Sequence, residues 1–190
     1  VAGTIDTWLI ANLSIDRRLV TDATNASRTM LYDIHAKRWD PELIAALGLR
    51  EDLFARVQPS GSDFGIVDPA HFGAPIPILG VAGDQQASLF GHGCTAPGSA
   101  KCTFGTGAFA MVQCGTEAKA PTEGLLLTLA CDESGRETYA LEGSLFMAGA
   151  IVQWIRDQLA LVRDAGETEA LARGWEPPTG IPRRAPRFWA

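Results

Sequence analysis

No stretch of the sequence reaches the roughly 18 consecutive apolar residues of a membrane span, and no signal-peptide pattern precedes the first helix-like segment. A soluble, cytoplasmic protein without a membrane partner is therefore the expectation. Basic residues are in deficit, 16 Lys and Arg against 22 Asp and Glu, which leaves a net charge of -6 and a pI near 5.0. Nucleic acid is not expected as a partner, because phosphate backbones call for clustered Lys and Arg. Cys94, Cys102, Cys114 and Cys131 form no CxxC pair, and His35, His71 and His92 give no metal-ligand spacing, although His92 and Cys94 lie two apart. No metal site follows from them, and the cysteines read as free, mostly buried thiols in a reducing compartment. The Walker motif GxxxxGK[ST], the nucleophile elbow GxSxG and a pair of close carboxylates are all missing. No repeat of 20 to 50 residues is visible.

What is present fits a globular chain: 190 residues with 46% hydrophobic content, enough for one ordinary domain or two small pieces. The organising stretch runs from Pro75 to Phe109. Ile76 to Ala82 reads as a buried strand and the residues from Gln85 to Phe90 as the first turns of a helix, which puts Asp84 at the carboxyl end of a strand, where open α/β sheets bind ligands. Asp84 then has two readings, an N-cap for that helix or a functional carboxylate. Gly105-Thr106-Gly107 likewise has two. It can be a tight hairpin turn, or a turn that offers backbone amides and a hydroxyl to a phosphate. Gly105, Gly107 and Ala110 also match GxGxx[GA], but a dinucleotide site needs a helix directly after the turn, and Ala108 to Gln113 reads as a strand.

Elsewhere, Thr4 followed by Ile5, Trp8, Leu9, Ile10 and Leu13 predicts a capped amphipathic helix with Asp6 in its first turn. The polar run Thr21 to Ser27 reads as a loop before a strand at Met30 to Tyr32, with Arg28 available for a salt bridge. Asp40 and Pro41 open a short helix that Gly48 ends, one more turn is expected at Glu51 to Ala55, and Pro59 to Pro75 is a loop with a short strand near Phe64 to Val67. Consecutive strands follow at Ala100 to Phe104, Ala108 to Gln113, Leu125 to Cys131 and Glu137 to Leu141, with a turn at Glu133 to Arg136. Ser144 to Val162 predicts the longest helix, whose N-terminus would offer amides to an anion. From Gly174 the Pro- and Arg-rich composition predicts a loose tail.

Five segments carry a resemblance: GTIDTWLI at Gly3, TDATNASRTMLYDI at Thr21, GVAGDQQASLFG at Gly80, FGTGAF at Phe104 and YALEGSLFMAGAIVQWIRDQL at Tyr139. In that order they resemble the glycerol-phosphorylating branch of the FGGY carbohydrate kinases, from Gly3 to about Val162. The resemblance implies an α/β, ribonuclease-H-like fold of the actin, hexokinase and Hsp70 type. It also implies an incomplete chain holding the end of domain I and the start of domain II. Residues 1–91 would be the C-terminal part of domain I on the substrate side, and 92–99 a connector. Residues 100–173 would be the N-terminal part of domain II on the nucleotide side, and 174–190 an irregular tail.

By the same resemblance Asp84 is the general base for glycerol, and Asp84 and Gln85 bind its hydroxyls, with Phe109 as an aromatic wall. Gly105, Thr106 and Gly107 form the ATP phosphate turn, and Gly149 and Gln153 line the nucleotide site. The implied cofactors and partners are ATP with Mg2+, ADP and glycerol, and the full-length enzyme has room to be homo-oligomeric. Other FGGY polyol or sugar kinases and a non-catalytic truncated product are the alternative expectations. The family's N-terminal phosphate motif, the Arg, Glu and Tyr that complete the glycerol pocket, and the later adenosine site have no counterpart in this sequence, so the chain alone is expected to be inactive. DPAHFGAP stands where some bacterial members bind a fructose bisphosphate inhibitor, which predicts no such control.

Overall fold

The computed structural model describes residues 2–174; the tail from residue 175 onward, expected to be irregular, lies outside the described residues. The chain divides into two compact units, residues up to 103 together with 109–145, and residues 104–108 together with those from 146 onward. No described helix is long and apolar enough to cross a membrane.

In the first unit, helix α1 (Ile5–Leu13) starts where the pattern predicts, after Thr4 in an extended conformation, but the Thr4 hydroxyl does not cap it. It bonds to the Asp6 carboxylate instead. The helix buries Asp6, Thr7 and Ile10, whereas Ile5, Trp8 and Leu9 are exposed, Trp8 by 61%. The apolar stripe therefore does not face this unit's core, because Asp6 turns inward to accept the Thr21 hydroxyl at 2.7 Å.

Strand β1 (Val20–Asp22) runs into a single helical turn, α2 (Ala23–Ala26), so the expected loop over Thr21 to Ser27 is instead a strand and a capped helix. Its polar residues favour turns and caps alike, and here the Asp22 carboxylate accepts the Thr24 and Asn25 amides, each at 3.0 Å. A small hairpin, β2 (Tyr32–Asp33) with β3 (Arg38–Trp39), follows. Helix α3 (Pro41–Ala46) has the predicted Asp40 cap with Pro41 in its first turn. The following turn at Glu51 is a short 3-10 helix, Glu51–Leu53, and β4 (Arg56–Gln58) pairs in parallel with β1.

The apolar run from Ile76 is not the buried strand its composition suggests. Only β6 (Ile76–Pro77) is a strand, antiparallel to β5 (Ile66–Val67), with α4 (Pro69–Phe72) between them. Pro77 has no N–H to give a ladder, and Leu79 is 64% exposed. Helix α5 (Asp84–Gly91) comes next.

Strands β7 (Ala100–Phe104), β8 (Ala108–Gly115), β9 (Leu125–Cys131) and β10 (Glu137–Leu145) form one sheet in the order β7-β8-β10-β9. Alternate residues of this sheet build two cores, as the two-residue period of a strand requires. Leu129, Tyr139 and Cys114 pack with Ala23, Ala26 and Tyr32, while Ala130, Ala140 and Met111 pack with Leu89 and Cys94. The sheet is thus held between α2 and α5, and the 92–99 connector contributes Cys94 to that core. The compact units divide at 104–108 and 146. Cys94, Cys114 and Cys131 are buried thiols and Cys102 is an exposed one.

One backbone contact is unusually close. Gly61 N–H donates to Gly135 O at 3.2 Å, Gly135 has φ +74, and a Cβ there would lie 2.4 Å from Gly61 Cα. Gly135→Ala is expected to destabilise the protein by about 2 kcal/mol or more, combining left-handed strain with a backbone collision. Gly124→Ala is the control, since Gly124 has φ +84 and nothing within 4 Å of its would-be Cβ. Equal shifts in the urea midpoint for the two variants would show that the Gly61 contact contributes nothing.

In the second unit, α6 (Gly149–Asp157) and α7 (Ala165–Arg173) pack together. The helix expected from Ser144 to Val162 is shorter at both ends. Ser144 and Leu145 continue β10, and the chain turns away after α6 at Ala160, φ +50.

Candidate active site

Gly83 occupies the cap position of α5, so Asp84 is the first helical residue rather than the cap. Its Oδ1 accepts the Gln85 amide at 2.8 Å, and its Oδ2 has no hydrogen-bond partner among the described residues. The start of α5 is pinned from two sides. Gly83 N–H donates to Thr24 Oγ1 at 2.8 Å, and buried Gln86 donates to Leu129 O at 3.1 Å. A Cβ on residue 83 would lie 2.7 Å from Gln86 Oε1, so the glycine serves close packing.

Asp84 and Gln85 line a cavity of about 500 Å³ together with Ile5, Asp6, Asn25 and Arg28, a volume suited to a small ligand. Asp6 is already satisfied by Thr4 and Thr21, which leaves Asp84 as the lining carboxylate with an uncommitted oxygen. Arg28 forms the salt bridge left open by its sequence context: Nη1 donates to buried Glu142 Oε2 at 2.8 Å, and the Arg28 side chain remains 46% exposed. Behind Gln85, buried Lys101 donates to Gln85 Oε1 and to Thr103 Oγ1 at 2.8 Å. Burial pushes the Lys101 ammonium below the ordinary lysine value, opposed by the attraction of the Asp84 carboxylate. Asp6 and Asn25 lie within segments that carry the resemblance, but their place beside Asp84, like that of Lys101 behind Gln85, is set by long-range packing. Phe109 lies half-buried in β8 and is not among the residues lining this cavity.

The second unit holds the Gly-Thr-Gly turn. It joins β7 to β8, and Gly105 N–H donates to Gly107 O at 2.8 Å. Its carbonyls receive the start of α6: Ala148 N–H donates to Thr106 O at 2.7 Å, Gly149 N–H to Gly105 O at 3.0 Å and Ala150 N–H to Thr106 O at 3.2 Å. The helix N-terminus therefore has its amides taken, contrary to the expectation that they were open to an anion. A Cβ on Gly149 would lie 2.5 Å from Gly105 O, which explains that glycine by packing. Gly105 has no such need. It is not at positive φ, and its would-be Cβ meets nothing nearer than Gly107 O at 4.0 Å. The bare backbone there is accessible, and Thr106 is exposed beside it. Gln153 lies one helical turn beyond Gly149 and is exposed.

The structure thus brings Asp84 and Gln85 together in one unit, and Gly105, Thr106 and Gly149 together in the other. Among the described residues no three His, Cys, Asp or Glu side chains gather as a metal site.

Relatives give this arrangement a context. The glycerol kinases of Brucella ovis and Agrobacterium fabrum are each 50% identical over 175 residues, 92% of this chain and 35% of those proteins. The chain therefore spans about a third of the length of the curated relatives it matches. Among solved structures, that of Plasmodium falciparum glycerol kinase with ADP has a TM-score of 0.81 at 35% identity, covering 90% of this chain and 34% of that one. Xylulose kinase from Rhodospirillum rubrum, at 22% identity and a TM-score of 0.74 over 90% of this chain and 35% of that one, shares the fold. Residues 1–91 match the N-terminal domain, and residues 100–189 the C-terminal domain, of one family. With the whole matched length in register with those two domains, the chain belongs to the FGGY family of carbohydrate kinases.

Proposed function

We propose that the full-length protein transfers the γ-phosphoryl group of ATP to a terminal hydroxyl of glycerol, giving glycerol 3-phosphate and ADP, as a soluble cytoplasmic enzyme. The observation that carries this reading is Asp84: exposed at the head of α5, with one oxygen held by the Gln85 amide and the other uncommitted in a cavity of about 500 Å³. The half-identical relatives are named glycerol kinases, which supports the choice of alcohol.

In this reading Asp84 accepts the proton of the attacking hydroxyl, and Gln85 binds and orients the alcohol. A positioned base contributes about 10² to 10⁴ in rate. The remaining catalysis is positioning and charge stabilisation, since phosphoryl transfer asks little covalent work of the protein. Phe109 is assigned as an apolar wall for the carbon backbone. Gly105, Thr106 and Gly107 are assigned to the nucleotide phosphates, supported by the exposure of Thr106 and by the open space beside Gly105, whose own N–H is held by Gly107 O. Gly149 and Gln153 are assigned to the same nucleotide, Gly149 through the turn it packs against. Mg2+ would be held mainly by phosphate oxygens and water, with one or two protein carboxylates at most, and Asp84 is kept for the alcohol proton. The ion, when bound, neutralises charge on the triphosphate.

The test uses the full-length protein with ATP, Mg2+ and a panel of polyols, reading ADP release and phosphorylated product. Glycerol is expected to give the highest kcat/KM, with no inhibition by fructose bisphosphate. A preference for a five- or six-carbon substrate would move the assignment to another FGGY activity. Absence of phosphorylation across the panel would overturn the kinase reading.

A further inference from the structure

The cavity beside Asp84 is backed by an unusual group, a lysine 6% exposed that forms no ion pair among the described residues. Its two hydrogen-bond acceptors, Gln85 Oε1 and Thr103 Oγ1, are neutral. Burying an ammonium on neutral partners is costly, and the positive charge lies close enough to be drawn by Asp84. We propose that Lys101 is a positioning residue that locks the Gln85 amide with its carbonyl turned away from the substrate and its NH2 offered to the cavity, so that the site presents one acceptor and one donor to the reacting alcohol.

The chemistry of lysine forces the orientation. An ammonium has three donors and no acceptor, so only the Gln85 oxygen can face it. Gln85 then has only N–H donors left for the cavity it lines. Thr103, two residues along β7 from Lys101 and so on the same face of the strand, accepts a second Lys101 proton and holds the ammonium in place. A hydroxyl in the cavity can accept from Gln85 Nε2 while it donates its proton to Asp84 Oδ2. The other charged groups around Asp84 are Arg28, paired with Glu142 of β10, and Asp6 of α1. This assignment rests on the reading of Asp84 as the base acting on a polyol.

The experiment compares wild type, Asp84→Asn, Lys101→Met, Lys101→Gln, Lys101→Arg, Gln85→Ala and the Lys101→Met/Gln85→Ala double variant in the full-length protein. Loss of a charge-assisted hydrogen bond in Lys101→Met is expected to raise the glycerol KM about 10- to 100-fold, with the ATP KM changed less than about twofold. Lys101→Gln carries an acceptor as well as donors and no longer fixes which way the Gln85 amide turns, so the glycerol KM should rise by at least about threefold. Lys101→Arg, which like lysine has only donors, should keep the glycerol KM within about threefold of wild type. The double variant should be no worse than Gln85→Ala alone within about threefold, since both act through one amide.

A folded Lys101→Met with a wild-type glycerol KM overturns the proposal. If Lys101→Met does not fold, a Lys101→Gln variant with a wild-type glycerol KM overturns it equally. A wild type that phosphorylates no polyol sinks the kinase reading itself. An active wild type, an inactive Asp84→Asn and unaltered Lys101 variants sink only the role of Lys101.

Discussion

Asp84→Asn in the full-length protein is expected to lower kcat by about 10² to 10⁴ while the ADP affinity stays within about twofold. The substitution is close to isosteric, and its effect can be confined to one atom. The asparagine oxygen can keep the bond that Asp84 Oδ1 makes to the Gln85 amide at 2.8 Å, so the first turn of α5 has no reason to move. The position of Oδ2, which has no partner among the described residues, becomes an NH2 that cannot take a proton. If Asp84 is a base, only turnover suffers. If Asp84 merely shapes the start of the helix, kcat persists. Steady-state kinetics with glycerol and calorimetry with ADP separate the two, and a variant keeping more than about a tenth of wild-type kcat contradicts the base assignment.

The parts of the fold that were legible in the sequence are those whose signal is local. Asp40, Pro41 and Gly48 bracket α3 because cap, first turn and stop chemistry act within a few residues. The turn between Cys131 and Glu137 is equally self-contained, with Asp132 Oδ1 accepting the Ser134 and Arg136 amides at 2.8 and 3.0 Å. The misread segments are those in which an apolar run lacks the partner that would make it an element. Ile76 to Ala82 is hydrophobic enough for a central strand, but only Ile76 and Pro77 pair, and Pro77 cannot donate. The run from Ser144 to Val162 has helical periodicity, yet its first residues extend β10, because the β9 to β10 ladder reaches Gly143 and carries the chain onward as strand. The spacing of apolar residues along a chain says nothing about which neighbour is present to pair with them.

The candidate site divides in the same way. Asp84, Gln85 and the Gly-Thr-Gly turn sit in short motifs and were visible. Lys101 reaches Gln85 across sixteen residues and Arg28 reaches Glu142 across 114, and no local pattern encodes such pairs. Gly149 was visible as a motif position, but its geometric reason is the 2.5 Å approach of Gly105 O to its would-be Cβ.

The second large effect is expected at Asp22, within a stretch that looks from its composition like a simple loop. Asp22 is fully buried. Its Oδ2 accepts Thr24 N–H at 3.0 Å, Thr24 Oγ1 at 2.7 Å and Ser60 Oγ at 2.6 Å, while Oδ1 accepts Asn25 N–H at 3.0 Å and Asn25 Nδ2 at 2.8 Å. These bonds tie β1, α2 and the loop after β4 to one carboxylate. Thr24 in turn holds Gly83, and Asn25 lines the cavity. Asp22→Ala leaves these donors facing a void. A buried donor left without its acceptor costs about 1 to 3 kcal/mol, and several lose theirs together, so the variant should lose at least about 3 kcal/mol in urea unfolding of the full-length protein. Ser60→Ala removes one donor and keeps the carboxylate, and should cost only about 1 kcal/mol. The contrast is the test, because it sets the loss of the hub against the loss of one spoke. If Asp22→Ala unfolds at the same urea concentration as Ser60→Ala, the network does not hold α2 in place, and the placement of Asn25 and of the Gly83 to Asp84 corner needs another cause.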